Sequence, residues 1–184
     1  MTSSRVLALA AFAFVVSCGD SNGPSGNSGT ASFNYSGAIT GSFEAEGAPP
    51  VLQPEGAEFA AGFRSDQDQV VGVVAVVPRN STNSDVLIIQ IPRLTAGSST
   101  ILDTCTADNC AAVLFSYNAN NDSGEAQWSC GLLSGTITIT SITSDRVEGT
   151  FSGTGECLGT GPTPSAFTIT NGSFDVRLLS NLGF

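Results

Sequence analysis

The feature that most constrains the fold is a two-residue alternation of apolar and polar side chains within short segments. In Thr136-Ile137-Thr138-Ile139-Thr140 the isoleucines fall on one face of an extended strand and the threonines on the other. Val147 to Phe151, Phe167 to Thr170 and Ser173 to Leu178 repeat the alternation. Gly, Pro, Asn, Ser and Asp separate these segments, and no helical periodicity persists. The pattern predicts that each of these four segments is a half-buried strand. Together the four strands are expected to form a C-terminal meander.

Two upstream segments, Val70 to Val77 and Val86 to Ile91, are almost continuously apolar. This composition is typical of central strands that are covered on both faces. Each segment ends at a proline, Pro78 or Pro92, which cannot donate a hydrogen bond to a sheet. Five further segments complete a prediction of about nine to ten strands: Phe33-Asn34-Tyr35, Ile39 to Glu46, Phe59 to Phe63, Val113 to Tyr117 and Glu125 to Cys130.

Residues 31–184 are long enough for one domain with its own hydrophobic core. We expect an all-β domain, an antiparallel β-sandwich of about nine to ten strands, because two packed sheets bury one face of every strand. A closed barrel is the alternative. A transmembrane barrel is disfavoured because it needs strands of ~10 residues with aromatic girdles, whereas the segments are shorter and aromatic residues make up 8% of the chain.

The first 18 residues have the features of an export signal. Arg5 supplies a positive charge, an apolar run of eleven residues extends from Val6 to Val16, and Ser17 precedes Cys18. As a helix the run would span only ~16 Å, about half of the hydrocarbon core of a bilayer. A plain secretory signal is the alternative, but its cleavage site at Ala11-Phe12-Ala13 would lie inside the apolar run. Val15-Val16-Ser17-Cys18 resembles the lipobox of bacterial lipoproteins.

The lipobox resemblance implies that residues 1–17 are a signal peptide that is removed, and that Cys18 is acylated. It places the protein in the cell envelope, and Gly19 after the cysteine favours the outer membrane. Residues 18–30 then form a lipidated, flexible tether, because Gly, Ser and Asn dominate and no aliphatic or aromatic side chain follows Cys18 within it. Such a coil holds the domain of residues 31–184 about 20 Å from the membrane.

The composition removes most routes to catalysis. The chain has no histidine and no lysine, and its net charge is −10. It therefore cannot form a Ser-His-Asp triad, a Ser-Lys dyad, a P-loop or a histidine zinc site. Without a basic cluster, binding to nucleic acid is not expected. Catalysis would need carboxylates alone, as in glycoside hydrolases, with Glu44, Glu46 and Glu148 as candidates. We expect no enzyme activity, no cofactor and no metal.

Four cysteines remain beyond the lipobox: Cys105, Cys110, Cys130 and Cys157. An even number in an exported domain indicates two disulfides, for which three pairings exist. We favour Cys105 with Cys110, because residues 106–109 have the composition of a turn, and Cys130 with Cys157. The second bridge would stabilise the fold by about 3.5 kcal/mol in the chain-entropy model. A four-cysteine zinc site is disfavoured because paired C-x-x-C spacing is missing.

Trp128 lies two residues before Cys130 and therefore on the same face of its strand. Packing in the core against the disulfide is the favoured role. The alternative is a platform for stacking on sugar rings, which Trp128 would form together with Phe115 and Tyr117.

Two polar segments, Asp66-Gln67-Asp68 and Asn118 to Glu125, place oxygen ligands at alternating positions, as a calcium loop does. The second segment departs from the EF-hand pattern, because Gly124 falls one position late and no glutamate closes a twelve-residue loop. We interpret both segments as polar turns between strands.

Two C-terminal segments, Val147-Glu148-Gly149-Thr150-Phe151-Ser152-Gly153 and Thr170-Asn171-Gly172-Ser173-Phe174-Asp175-Val176, resemble strands of β-sandwich lipoproteins from environmental bacteria. The resemblance extends over Gly135 to Leu178, about a quarter of the chain. It implies a fold and a location in the envelope, but no activity and no functional residues.

We expect a membrane-anchored envelope lipoprotein with a non-catalytic structural or protein-binding role. Its partners are the membrane, through the lipid on Cys18, and an envelope protein or a glycan. The alternative is a glycan- or small-ligand-binding module that uses Phe115, Tyr117 and Trp128. A carboxylate-dependent hydrolase is the third hypothesis.

Overall fold

A computed structural model of the chain describes residues 28–48, 57–80, 83–103, 110–118, 127–159 and 163–179. These residues form ten strands, which confirms the all-β class and the expected strand number. The strands are β1 (Gly29–Gly37), β2 (Gly41–Gly47), β3 (Phe59–Ser65), β4 (Val70–Pro78), β5 (Ser84–Ile91), β6 (Gly97–Leu102), β7 (Ala112–Tyr117), β8 (Trp128–Ile142), β9 (Arg146–Leu158) and β10 (Ser165–Leu179). The part of the chain that the structure describes contains no helix of the length and apolar character needed to cross a bilayer.

Seven strands close into a barrel in the order β3-β4-β5-β7-β8-β9-β10. The neighbours are antiparallel except where β10 meets β3, which it pairs with in parallel at Leu178 and Leu179. The remaining three strands extend the sheet beyond the ring. The β1-β2 hairpin pairs with β10 through β1, and β6 pairs with β8.

The predicted sandwich of two separate antiparallel sheets is wrong, because β8 and β10 each belong to both halves. One edge of β10 pairs with β1 over residues 167–175 and then with β3 at residues 178–179. One edge of β8 pairs with β7 over residues 128–131 and then with β6 over residues 134–139. These changes of partner join β2-β1-β10-β9-β8-β6, called here the long-strand sheet, to β3-β4-β5-β7, the short-strand sheet.

The long strands arise where two predicted segments continue through a bulge. The predicted four-strand meander consists of three strands, since Phe167 to Thr170 and Ser173 to Leu178 both belong to β10. Asn171, at a φ of 52°, lies in the irregularity between them. Gly172 is required there, because a Cβ atom would lie 2.4 Å from the Phe151 carbonyl oxygen. Residues that are typical of turns therefore bend one strand instead of ending it.

The β8 strand likewise contains the predicted Thr136 to Thr140 segment together with Trp128 to Cys130. Its irregularities lie between Leu132 and Ser134 and between Ile139 and Ser141. The sequence pattern missed β6, because its Gly97-Ser98-Ser99-Thr100 segment has no apolar alternation.

Inward-pointing side chains of both sheets fill the barrel. The Phe33 ring of β1 lies 5.0 Å from the Phe115 ring of β7 and 5.7 Å from the Phe151 ring of β9, measured between centroids. The Phe43 ring of β2 stacks on Phe33 at 5.1 Å. The predicted inward residues of the C-terminal strands are buried: Ile137, Ile139, Phe174, Val176 and Leu178. One continuous core therefore connects the hairpin to the ring.

Candidate functional site

The outward side of the short-strand sheet is apolar. Along β5 and β7 the inward side chains are buried, whereas the outward Ile88 and Leu114 are 41% and 52% exposed. Phe63 of β3 is also exposed, and the outward valines of β4 and β5 are half-buried. We define the apolar face as the outward residues Phe63, Val74, Val76, Val86, Ile88 and Leu114.

The register places the centre of the apolar face in one row across three strands. Val74 is the partner of Ile88, and Ile88 is the partner of Leu114. The next residue in the row is Gly131 of β8, where an added Cβ atom would lie 3.4 Å from Leu114 Cδ2. The Phe63 ring covers the cross-strand Gly72. The row is therefore a ridge of aliphatic side chains beside a position without a side chain.

No outward position of the described β3, β4, β5 and β7 strands carries a charged side chain. The row reaches its first carboxylate only at Glu156 of β9, beyond Gly131. Continuous apolarity of β4 and β5 predicts cover on both faces, and the inward cover is present. On the outward side Ile88 is exposed. The predicted cover of the outward face is therefore not provided by the described residues.

The outward side of the long-strand sheet carries mainly hydroxyl groups, although Leu102, Leu133 and Leu158 are also exposed on its strands. Cross-strand pairs bond through their side chains, with oxygen–oxygen distances of 3.1 Å for Ser32 and Ser173 and 2.8 Å for Ser98 and Thr138. We define the hydroxyl face as the outward Ser and Thr residues of β1, β6, β8, β9 and β10: Ser32, Ser98, Thr100, Ser134, Thr136, Thr138, Thr140, Thr150, Ser152, Thr154, Thr168, Thr170 and Ser173.

A buried polar cluster lies where β4, β5 and β7 end or begin. Asp85 is 0% exposed. Its Oδ2 atom accepts hydrogen bonds from Arg79 Nε at 2.9 Å and Nη2 at 2.5 Å, and its Oδ1 atom accepts one from the Asn118 backbone N–H at 2.7 Å. The hydrogen bond to Asp85 raises the pKa of Arg79. The carboxylate is thus held by three donors and fixes Arg79 at this end of the barrel.

Tyr35, Asn83 and Asn118 border the Asp85 cluster, and both asparagines are buried. Burial raises the pKa of the Tyr35 phenol, and the neighbouring Tyr117 and Asp85 add to the effect. Asn118 donates from Nδ2 to the Ser84 carbonyl oxygen at 2.8 Å. The sequence analysis missed this cluster. Its only signal was an aspartate directly before an apolar strand, six residues after an arginine.

The three aromatic residues of the predicted glycan platform lie in different environments. Phe115 is 1% exposed in the core, which leaves its ring no surface for stacking on a sugar. Tyr117 and Trp128 are cross-strand neighbours and half-buried. The Trp128 ring packs over Gly159 and against the core. A platform of Tyr117 and Trp128 therefore stays a prediction.

The Cys130–Cys157 disulfide is present and joins residues directly opposite each other on β8 and β9. The bridge therefore links two paired strands of the sheet. Cys110 is also disulfide-bonded. Cys105 and the lipobox residue Cys18 lie outside the described residues, so the pairing of Cys105 and the acylation of Cys18 stay predictions.

The predicted carboxylate sites are occupied by local contacts or lie at an exposed edge. Asp66 accepts a hydrogen bond from Arg64 Nε at 2.6 Å, and Asp68 accepts one from Ser65 Oγ at 2.6 Å, as in a polar turn. Glu44 and Glu46 are exposed on the edge strand β2. Of the segment from Asn118 to Glu125, only Asn118 is described. Within the described ranges, no three His, Cys, Asp or Glu side chains cluster in a way that could hold a metal ion.

Comparisons of the chain with protein-family models, with curated proteins and with solved structures gave no match.

Proposed function

We propose that the protein is a lipid-anchored envelope protein with a non-catalytic role, and that it binds a partner protein through the apolar face. The observation that carries this proposal is the uncharged row of Val74, Ile88 and Leu114, in which Ile88 and Leu114 are exposed. Contiguous exposed apolar side chains on a protein surface mark sites of protein or membrane interaction, because leaving them in water is unfavourable.

The polar groups of the barrel support a binding role over a catalytic one. The buried carboxylate of Asp85 is bonded to Arg79 and to the Asn118 N–H, so its lone pairs serve the fold. The side chains that reach solvent on the opposite side include hydroxyls bonded to one another, such as Ser134 and Thr154 at 2.9 Å.

The attachment to the membrane rests on the lipobox. The β1 strand begins at Gly29, two residues before the end expected for the tether, so the described fold begins where the proposed tether ends. A tether of this length allows the barrel to turn its apolar face towards a neighbour in the envelope.

The anchor is tested by metabolic labelling of the full chain with a clickable fatty acid. We expect labelling and removal of the signal in the natural sequence, and neither in Cys18→Ser. The matched control is Ser17→Ala, which keeps a small residue before the cysteine and should be labelled normally. Normal processing of Cys18→Ser would contradict the anchor.

The binding surface is tested with the photo-crosslinking residue benzoylphenylalanine in the membrane-bound full chain. We expect an intermolecular product when it replaces Ile88 on the apolar face. The control replaces Thr136, which is similarly exposed on the hydroxyl face. Equal products from both positions, or none from Ile88, would refute the proposed surface.

A second candidate function is glycan binding, which is favoured by the cross-strand contact of Tyr117 and Trp128. It predicts saturable quenching of Trp128 fluorescence by chitin oligosaccharides and its loss in Tyr117→Ala. An unchanged spectrum at millimolar oligosaccharide would eliminate it.

A further inference from the structure

We infer that the end of the barrel around Asp85 binds a neutral saccharide through the side chains of Asn83 and Asn118. This proposal rests on glycan binding, the second candidate function, and names the polar residues that hold the sugar. It does not involve the apolar face.

The first observation is that the inward positions of β5 change from apolar to polar at this end of the barrel. Alternate residues of the strand point inward, and the inward Leu87, Ile89 and Ile91 are fully buried. Asn83 and Asp85 continue the same alternation and are 3% and 0% exposed. Polar side chains at buried positions lower stability unless they are hydrogen-bonded or serve a function. These two residues therefore need hydrogen-bond partners or a ligand.

The second observation is that Asp85 has such partners, whereas the two asparagine side chains lack some of theirs. The Asp85 carboxylate is held by Arg79 and by the Asn118 backbone N–H. The backbone of Asn83 is bonded too, since its N–H donates to Asn80 Oδ1 and its carbonyl oxygen accepts from the Arg79 N–H, both at 2.8 Å. Within the part of the chain that the structure describes, the buried Asn83 Oδ1, Asn83 Nδ2 and Asn118 Oδ1 atoms have no hydrogen-bond partner. Because unpaired buried polar atoms are unfavourable, a ligand that pairs with them binds with a gain in stability.

The third observation is the chemistry of these three atoms, which are two acceptors and one donor. Asn118 Nδ2 donates to the carbonyl oxygen of Ser84, the residue next to Asn83, at 2.8 Å, so the two carboxamides belong to one cluster. A carboxylate or phosphate offers only acceptors and an ammonium group offers only donors, so neither pairs with all three atoms. Hydroxyl groups both donate and accept. Two neighbouring hydroxyls of one sugar ring can therefore pair with all three atoms.

The charges at this end of the barrel also favour a neutral ligand. Arg79 and Asp85 form an ion pair, with Nη2 and Oδ2 2.5 Å apart, and so neutralise each other. The guanidinium of Arg79 also opposes the binding of a metal cation at the asparagine oxygens. An uncharged saccharide meets neither obstacle.

Aromatic rings beside the asparagines provide the surface on which a sugar ring packs. Asn118 directly follows Tyr117, whose cross-strand partner is the half-buried Trp128. The Tyr117 ring lies 6.3 Å from the Tyr35 ring, measured between centroids. Aromatic side chains together with a few placed polar groups are typical of small-ligand sites, which occur in the mouths of β-barrels.

The route to the asparagines gives the binding a kinetic signature. Their unpaired atoms are buried, whereas the Arg79 side chain is 33% exposed and Tyr117 and Trp128 are half-buried. A sugar therefore first meets these three residues, and side chains must move before it reaches the asparagines. We expect slow association, because binding that requires a conformational change is slower than simple docking.

The experiment titrates the detergent-solubilised full chain with cello-oligosaccharides, whose rings carry neighbouring hydroxyls, and follows Trp128 fluorescence. Trp128 is the only tryptophan, so its signal reports on this end of the barrel. We expect saturable, slow quenching in the natural chain. Asn83→Leu keeps the branched shape but removes the unpaired atoms, and it should weaken binding by about tenfold or more. Asn34→Leu, the matched control at an exposed position of β1, should leave the affinity unchanged.

Urea unfolding of the same chains separates a ligand site from a structural role. Since the Asn83 carboxamide is buried without partners in the described fold, Asn83→Leu should unfold at the same urea concentration as the natural chain or at a higher one. A lower midpoint would show that the carboxamide is bonded within the fold, and would overturn the proposal.

The remaining outcomes distinguish this proposal from glycan binding in general. Quenching that survives Asn83→Leu, or quenching by chitin oligosaccharides alone, overturns the asparagine site and leaves a sugar surface at Tyr117 and Trp128 intact. A crystal structure at saturating cello-oligosaccharide with only ordered water beside Asn83 also overturns the asparagine site. Quenching by neither sugar overturns both.

Discussion

The short-strand sheet and the long-strand sheet share one core but differ in the balance of apolar and hydroxyl side chains that they turn to solvent, although Leu102, Leu133 and Leu158 are exposed on the long strands. The long-strand sheet turns serine and threonine outward, with pairs such as Ser98 and Thr138 in hydrogen-bond contact. The short-strand sheet turns valine, isoleucine and leucine outward, with Ile88 and Leu114 exposed side by side.

This difference shows which residues the barrel needs in order to fold and which positions tolerate different side chains. Both sheets need apolar residues inward, and both have them. The hydroxyl face shows that β-branched polar residues suffice on the outside, since threonine favours strands and remains compatible with water. The apolar residues on the other sheet are therefore not needed to form strands, and the proposed binding surface would give them a role.

The largest expected effect comes from comparing the inward Phe115 with its outward neighbour Leu114. Phe115→Ala should lower the free energy of unfolding by about 3 to 5 kcal/mol, because it opens a cavity among the aromatic rings. Leu114→Ala should lower it by less than about 1 kcal/mol in the monomer, since its side chain is half exposed. Urea unfolding of the detergent-solubilised chain, followed through Trp128 fluorescence, measures both. A similar loss for the two variants would show that the apolar face is covered within one chain.

The second effect concerns the corner where β7 joins the long-strand sheet. Cys130 pairs with Phe115 of β7 in the sheet and with Cys157 through its disulfide. Replacing both cysteines by alanine should lower the free energy of unfolding by about 3.5 kcal/mol, because the unfolded chain loses a loop constraint of 27 residues. The same urea titration measures it, and reduction of the natural chain, which also opens the disulfide of Cys110, should lower the free energy of unfolding by at least as much. If the free energy of unfolding fell by less than about 1 kcal/mol, strand pairing without the disulfide would be sufficient to stabilise this corner.

The smallest effect concerns Tyr35, which lies where the β1-β2 hairpin meets the short-strand sheet. Its phenol has a pKa raised above 10.0 by burial, so the folded chain holds the proton more tightly than the unfolded chain. The resulting stability is fully present below pH 10 and is lost as the pH rises through the folded pKa. Thermal unfolding should therefore show a smaller alkaline decline in Tyr35→Phe than in the natural chain. Parallel declines would show that Tyr35 ionises equally in both states.

Much of the fold could be predicted because strand alternation is a local property. The burial of Ile137 and Ile139 follows from their spacing alone. The ends of strands were harder, since Asn171 and Gly172 are typical of a turn but occupy a bulge within β10. A bulge and a turn share the same residues, and the neighbouring strands decide between them.

The candidate site was only partly visible in the sequence. The apolar composition of β4 and β5 was apparent, but their outward exposure was not, because it depends on which elements pack over them. The Asp85 cluster depends on contacts with Asn118, 33 residues further along the chain. Such contacts exist only once the strands are aligned, so composition could not reveal them.

The sequence by itself determined the all-β class, the inward residues, the absence of histidine and lysine, and the lipobox resemblance at Cys18. These properties depend on residue identity and on neighbours within a few positions. Only the tertiary structure decided that the sheets close into a barrel, because closure depends on β8 and β10 changing partners along one edge. It also decided that Ile88 and Leu114 lie exposed side by side on one outer face while paired hydroxyls dominate the other, since exposure is set by what packs against a strand.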